Sequence, residues 1–459
     1  MSLDVHAHLL PQIAKLWSDA VQLQPVFRQM ALQGDSIPVW VGLSGGVDSV
    51  VLLDCLLALK DQLPFLADIR AVYINHQLSP NADAWETFCR TLCASRNIVF
   101  EAHRVEVIET GKGIEDAARQ ARFAVFHSLL ETPALLALGH HGDDQVETLV
   151  LRLGRGTGSR GFAGMPQVRP LGGGALIRPL LHLGRAAIEH YAAMRGLSHI
   201  EDESNVDQGY DRNYVRHSLI PALAKRWPEY IKTWGESVRA AQEADSLLAE
   251  LAAEDLQRLL STSVSGHENL SAINESVTGA DESLDLAGYE RLSELRQRNL
   301  LRFWLRQKGG LGITRQHLDE LQNQLQTRHS ESQLQFNVDK DWCLRVYANR
   351  LYWCRQVFRL SLQLRPAIAG EHGLFLKGKP SDYRIGFREG GERCHPLGRQ
   401  HSQTLKKILQ ECSVAPWLRE SIPLVYAGDE IAAVSNLLVC KGFIAEKGEL
   451  GVSVTLVSE

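Results

Sequence analysis

Val39-Trp-Val-Gly-Leu-Ser-Gly-Gly-Val-Asp-Ser49, followed by Val50-Val-Leu-Leu-Asp-Cys-Leu-Leu-Ala-Leu59, is the stretch on which the fold turns. Val39 to Leu43 reads as a buried strand, Ser44 to Ser49 as a polar turn, and Val50 to Leu59 as an apolar helix. The turn therefore lies where strand ends meet a helix N-terminus, which is an anion site by construction. Gly45 and Gly46 let backbone N–H groups come close to a phosphate, and Ser44 and Ser49 add hydroxyl donors on either side of Val47. No lysine follows the glycines, unlike the nucleotide loops that transfer a terminal phosphoryl group. The loop suits a departing pyrophosphate better. Asp48 gains nothing from meeting phosphate directly, so its carboxylate is best explained by a Mg²⁺ bridging it to phosphate oxygens.

Outward from this turn, short apolar strands alternate with helical runs, the pattern of a parallel sheet covered by helices. Strands are expected at Val39 to Leu43, Asp68 to Asn75, Ile98 to Val107, Ala134 to Gly139 and Leu176 to Pro179. Helices are expected near Asp48 to Lys60, Ala82 to Arg96, Ile114 to Leu130, Asp143 to Leu153 and Gly184 to Arg195. The fold class is thus α/β, with a doubly wound, mostly parallel sheet in a first domain spanning 1–225. A linker helix and a mainly helical middle domain follow over 226–359, and a small α+β domain over 375–459. Within them, Tyr230 to Leu260 reads as one long helix, Ser261 to Ser283 as an exposed loop, Tyr289 to Lys308 as helix, Leu334 to Tyr352 as strands and Gln403 to Cys412 as helix.

A second polar constellation, His140-His141-Gly142-Asp143-Asp144-Gln145-Val146-Glu147-Thr148, follows the strand at Ala134 to Gly139 and opens a helix. Its side chains should share the carboxyl edge of the sheet with the phosphate loop, where open α/β sheets bind ligands. His140 and Asp144 can point into one cleft, offering a donor to a phosphate or base oxygen and a carboxylate for Mg²⁺ or a proton. Beyond it, Thr148 to Ile188 contains six arginines and no acidic residue. Its glycines, with Arg155 and Arg160, suit a loop following an RNA backbone, each arginine taking a phosphate. Glu201-Asp202-Glu203-Ser204-Asn205 then precedes Tyr210-Asp211-Arg212-Asn213-Tyr214-Val215-Arg216. That pairing of acids and arginines reads either as a pocket for an amino acid beside an anion, or as a capped helix start with surface ion pairs.

Composition bounds the rest. At 459 residues the chain exceeds one core. No apolar run is long enough to span a membrane and the first residues lack signal-peptide character, so the expected location is the cytoplasm. Eight cysteines without a C-x-x-C pair indicate reduced thiols, neither a disulfide framework nor a thiolate metal site. A net charge of −5 averages over domains and leaves room for a local basic face.

Ser-Gly-Gly-Val-Asp-Ser after a strand resembles the motif of the N-type PP-loop ATP-pyrophosphatases. Together with HHGDDQVETLVLRLGRGTGSRGFAGM (residues 140–165), IRPLL (177–181), EDESNVDQGYDRNYVRHSLIPAL (201–223) and the stretch from Arg388 to Val434, it resembles the tRNA(Ile)-lysidine synthetase family. The resemblance implies that ATP adenylylates O2 of the wobble cytidine in the CAU anticodon of isoleucine tRNA. The ε-amine of L-lysine then attacks C2 and expels AMP. It further implies ATP contacts from Ser44, Gly45, Gly46, Val47, Asp48, Ser49, Asn75, His76, Arg119 and Arg122. Catalysis falls to Asp48, His140, Asp144 and Arg212, Mg²⁺ to Asp48 and Asp144, and tRNA contacts to Arg155, Arg160, Asn205 and Arg216. Gly142 stands where the family pattern leads one to expect a bulkier apolar residue, which should loosen the helix start. Arg296, Arg298, Arg302, Arg306 and Lys308, with Phe303 and Trp304, suit stem contacts or a solvated helix over a core stripe. No protein partner is implied, and a homodimer stays open. The competing enzyme is a tRNA 2-thiolation enzyme, which commonly relies on paired cysteines; a silent tRNA-binding protein would have no use for Asp48 beside a phosphate loop.

Overall fold

A computed structural model describes residues 5–33, 36–63, 68–109, 111, 113–201, 211–261, 283–310, 313–328, 334–356, 360–370, 373–412 and 414–458. Asn205, and nearly all of the loop expected from Ser261 to Ser283, lie outside them. The chain divides into two compact units, Met1–Ser246 and Leu247–Glu459. Among the described residues no helix is long and apolar enough to cross a membrane.

The first unit opens with helices α1 (Val5–Leu23) and α2 (Pro25–Gln33). The sequence reading began at Pro38 and did not assign them. Leu9, Ile13, Leu16 and Ala20 recur at helical spacing along α1 and are fully buried. The core alternation follows: β1 (Val39–Gly42), α3 (Val47–Leu59), β2 (Ile69–Asn75), α4 (Ala82–Ala94), β3 (Val99–Arg104), α5 (Ile114–Leu129), β4 (Leu135–Ala137) and α6 (Gly142–Gly154). A one-turn helix α7 (Ser159–Phe162), a hairpin of β5 (Val168–Leu171) and β6 (Gly174–Ile177), and α8 (Arg185–Arg195) come next. The sheet order is β3-β2-β1-β4-β6-β5, parallel throughout except for β5. From β1 the chain winds outward through β2 and β3, then returns to β4 on the other side of β1. The switch point between β1 and β4 opens a crevice at their carboxyl ends. The unit ends in α9 (Asp211–Tyr214), a wide π turn over Val215–Leu219, α10 (Ile220–Arg226) and the start of α11 (Tyr230–Leu259).

One polar cluster pins the central helix. Asp54, on α3, accepts from Arg96 Nη1 at 3.0 Å, Tyr191 Oη at 2.8 Å and Arg195 Nε at 3.2 Å, tying α3 to α8 and to the turn after α4.

In the second unit, a five-stranded antiparallel sheet runs in the order Leu260–Ser261, Ser283–Asp285, Arg350–Arg355, Trp342–Tyr347, Gln335–Asn337. Helices Leu286–Glu290, Glu294–Gln307 and Arg315–Thr327 accompany it, with Trp304, Leu300, Leu301, Leu344 and Leu351 in a shared core. Helix Glu294–Gln307 thus buries a core stripe, Leu300, Leu301, Trp304 and Leu305, while its arginines stay half-buried or exposed. Within the protein Arg296 meets Asp255, Arg298 meets Asp319 and Arg302 meets Asn299. The last part holds a three-stranded sheet (Leu360–Ile368, Leu450–Ser458, Phe375–Lys377) and a four-stranded one (Arg384–Gly386, Leu424–Ala427, Glu430–Val434, Leu438–Val439) around helix Leu405–Glu411.

Candidate active site

Because β1 and β4 are neighbours, the turns that follow them lie side by side. Their approach is close: a Cβ at Gly139 would stand 3.0 Å from the backbone of Asp48. The turn Ser44 to Ser49 is organised before any ligand arrives. Ser49 Oγ donates to Gly46 O at 2.9 Å, Ser44 N donates to Ser49 Oγ at 3.2 Å, and Ile200 N donates to Gly45 O at 2.9 Å. Gly45 has φ +86°, and a side chain there would meet Ile200, so glycine is required. The free amides of the first turn of α3 remain available to an anion.

Around His141 three carboxylates converge. Its Nε2 lies 3.7 Å from Asp48 Oδ1 and 3.5 Å from Asp144 Oδ2, and its Nδ1 lies 3.3 Å from Asp143 Oδ2. Burial favours the neutral ring, but the adjacent carboxylates of Asp143, Asp144 and Asp48 outweigh it and raise the His141 pKa. Asp143 is itself fixed by Tyr230 Oη and by Arg185 N at 2.7 Å. The neighbouring His141, together with these bonds, overcomes its burial and holds its carboxyl down to about 2. Asp48 is raised, chiefly by burial; its Oδ2 accepts from Arg185 Nη1 at 3.1 Å, while its buried Oδ1 has no hydrogen-bond partner.

Asp144 closes the start of α6 by accepting from His141 N at 3.0 Å, an N-terminal capping arrangement. Its other oxygen accepts from Arg212 Nη2 at 2.8 Å. One turn on, the fully buried Glu147 takes Arg212 Nε and Arg216 Nε, both at 2.7 Å. Burial pushes Asp144 up, but His141, Arg212, His140 and the amide bring it below the ordinary carboxylate range. His140 lies among Arg178, Arg122 and Arg212, and burial above all lowers it to about 3, a neutral imidazole. Its buried Nδ1 has no partner.

The other expected residues fall as follows. Asn75, fully buried at the end of β2, donates to Asp83 at 3.1 Å, so its amide is committed within the protein. His76 and Arg122 each keep a buried, unpartnered nitrogen. Arg119 lies over Phe123. Arg155 is exposed and reaches Asp211 at 3.3 Å; Arg160 is exposed on α7. Arg216 is drawn to Glu147 and Asp144. The sequence reading placed His141, Asp143 and Glu147 in the polar constellation without giving them roles, and counted Arg185 only among the six arginines of the acid-free stretch. Helical spacing could have found Glu147, three residues after Asp144 and hence on the same face.

At Gly142 the structure corrects the expected looseness. Its N–H donates to Leu183 O at 2.7 Å, and a Cβ would lie 2.5 Å from Ile231 Cγ2 and 3.0 Å from Leu183 O. The helix start is tight because glycine admits that approach. Gly142→Ala is therefore expected to cost about 1–3 kcal/mol of stability, read as a lowered unfolding midpoint.

Sequence comparison adds the lineage. The PP-loop domain pattern matches residues 20–223, the TilS substrate binding domain 284–352 and the TilS substrate C-terminal domain 383–456. The tRNA(Ile)-lysidine synthase of Coxiella burnetii is 32% identical over 438 residues, covering 90% of this chain and 92% of its own. The proteins of the same name from Alkalilimnicola ehrlichii and Serratia proteamaculans are each 34% identical, over 92% and 89% of this chain and 94% and 92% of theirs. With a phosphate loop and a carboxylate–histidine cluster at one switch point, and relatives aligned along nearly its whole length, the chain belongs to the tRNA(Ile)-lysidine synthase family.

Proposed function

We propose that this protein joins L-lysine to C2 of the wobble cytidine in the CAU anticodon of isoleucine tRNA, at the expense of ATP. The observation that carries this is the adjacency of the phosphate loop and the Asp48–His141–Asp144 cluster. In the first step O2 of the cytidine attacks the α-phosphorus of ATP and pyrophosphate leaves. In the second, the ε-amine forms a bond to C2, the C2–O2 bond breaks, AMP departs with O2, and the amine gives up a proton.

Ser44, Gly45, Gly46, Val47 and Ser49 hold the ATP phosphates through amides and hydroxyls. Asn75, His76, Arg119 and Arg122 border the nucleotide. His140, neutral at working pH, donates a hydrogen bond to the oxygen on which charge develops. Asp144 accepts the amine proton, and Arg212 holds Asp144 in place while facing the base. Asp48, with its unpartnered buried oxygen, fits a divalent cation; Asp144, the second ligand of this reading, already gives one oxygen to His141 N and the other to Arg212. Among the described residues no group of three or more such ligands exists, and Mg²⁺ is ordinarily held by one or two carboxylates plus substrate phosphates. A Mg²⁺ held by Asp48 and Asp144 would supply charge neutralisation for a leaving pyrophosphate. Arg155, Arg160, Asn205 and Arg216 serve the anticodon, and the domains at 226–359 and 375–459 hold the rest of the tRNA. The setting is the cytoplasm.

Sulfur transfer through cysteine is disfavoured by burial, which pushes the Cys55 and Cys89 thiols up to about 12 and Cys93 to about 11. Mass analysis of the wobble nucleoside after incubation with tRNA, ATP and lysine should show one lysine added with loss of water. Added sulfur, or an unchanged cytidine with the complete mixture, overturns the proposal.

A further inference from the structure

Five arginines of the first unit stand together, with Glu115, Asp116 and Asp144 acting on three of them only from beyond ion-pairing distance. Arg119 and Arg169 each place a guanidinium 5.0 Å from the centre of the same Phe123 ring. Arg178, only 3% exposed, donates Nη1 to Pro166 O at 2.5 Å and leaves its buried Nε without a partner. Arg122 also has a buried, unpartnered Nε. Arg152 donates to the carbonyls of Gly161 and Gly164 at 3.2 and 2.8 Å. Among the described residues none of the five makes an ion pair.

Their placement is contiguous: Arg152 bonds the carbonyls of Gly161 and Gly164 beside Arg160 on α7, Arg178 bonds that of Pro166 just beyond, and Arg169 on β5 shares Phe123 with Arg119 of α5. The charge of Arg160 acts on Arg152, those of Arg152 and Arg169 act on Arg178, Arg119 acts on all three, and Arg122 and Arg178 act on His140. Burial first, and then these like charges, bring Arg178 down to about 9 and Arg122 to about 10. Covered guanidiniums crowded in this way are costly unless an anion joins them. A lone carboxylate such as that of lysine needs one or two guanidiniums at a single point. ATP already has the loop after β1. A contiguous band of guanidiniums that begins at exposed Arg160 instead matches a ligand whose negative charges are spaced along a chain.

We infer that Arg160, Arg152, Arg169 and Arg178 form a track that takes successive phosphodiester groups of an RNA strand and leads the reacting nucleotide to His140, past Arg119 and Arg122 at the nucleotide. Phe123, bracketed by two of them, holds their planes in position. The inference rests on the RNA-modifying reading above and adds Arg152, Arg169 and Arg178 to its binding residues.

The test uses the full-length protein and its Arg169→Ala, Arg152→Ala and Arg178→Gln variants. Affinity for an unmodified isoleucine tRNA transcript is measured over a salt series, alongside KM for ATP and for lysine and a thermal melt. Each variant should bind the transcript about tenfold more weakly. The slope of log affinity against log salt should fall by about 0.7 for each single-strand phosphate that no longer meets a guanidinium. KM for ATP and lysine should stay at wild-type values. Unchanged tRNA affinity and slope overturn the track, as does a rise in KM for ATP, which would make it a nucleotide-phosphate site, or for lysine, which would make it a carboxylate site. If Arg178→Gln loses its cooperative melt, the half-buried Arg169 and Arg152 decide the outcome. A wild type that adds no lysine but keeps the salt slope removes the proposed reaction and leaves the track standing.

Discussion

Asp144→Asn is expected to abolish lysine addition while leaving a folded protein. The amide oxygen can still accept from His141 N, so the start of α6 survives, and Glu147 still holds Arg212 and Arg216. What disappears is the negative charge beside His141 and the oxygen proposed to take the amine proton. Loss of one preorganised charge or donor typically costs 10²–10³ in kcat, so a fall of about that size or more is expected. Asp48→Ala should do the same from the other side of the imidazole, where its buried oxygen has no partner within the protein. Pyrophosphate release, with and without lysine, reads both variants. Near-wild-type turnover by either one would sink the assignment of these carboxylates.

Glu147→Ala is expected to damage the fold and the activity together. Glu147 is fully buried and takes both Arg212 and Arg216 through their Nε atoms. Without it, two guanidiniums face one carboxylate in a covered site. Removing one partner from a buried ion network costs about 3–5 kcal/mol. For a unit of this size about 2–4 °C of midpoint is lost per kcal/mol, so the melt should move down by roughly 10 °C. Glu147→Gln, which keeps the volume and an acceptor, should lose less stability, yet still lower kcat by releasing Arg212. An unchanged melting midpoint for Glu147→Ala would mean that the arginines find other partners.

The sheet and its helices were legible because each carries its own period. Apolar runs at Val39 and Ala134 ended in polar turns, and the helix starts at Ala82, Ile114 and Gly184 were read to within a residue. Edge strand β5 was not, since Pro170 lies inside it and proline argues against a strand unless the strand is at an edge. Helix Arg315–Thr327 hid behind its glutamines: only Leu318, Leu321 and Leu325 show its buried face. In the site, the motif reading picked the residues that look chemically active, Asp48, His140 and Asp144. The residues that orient them were harder to see. Glu147 and Asp143 were placed in the polar constellation without a role of their own, and Arg178 was one of six arginines in an acid-free stretch. Their roles depend on burial, which a single sequence does not display.

The Asp54 clamp has a thermodynamic consequence. With α3 tied to α8 and to the turn after α4, and with Gly45 O held by Ile200, the phosphate loop has lost its conformational freedom during folding. Nucleotide binding then carries little of the ordering cost that flexible loops impose on their ligands. Amides such as Ser49 and Val50, bonded to Gly46 O, should resist hydrogen exchange before ATP arrives and change little on its arrival.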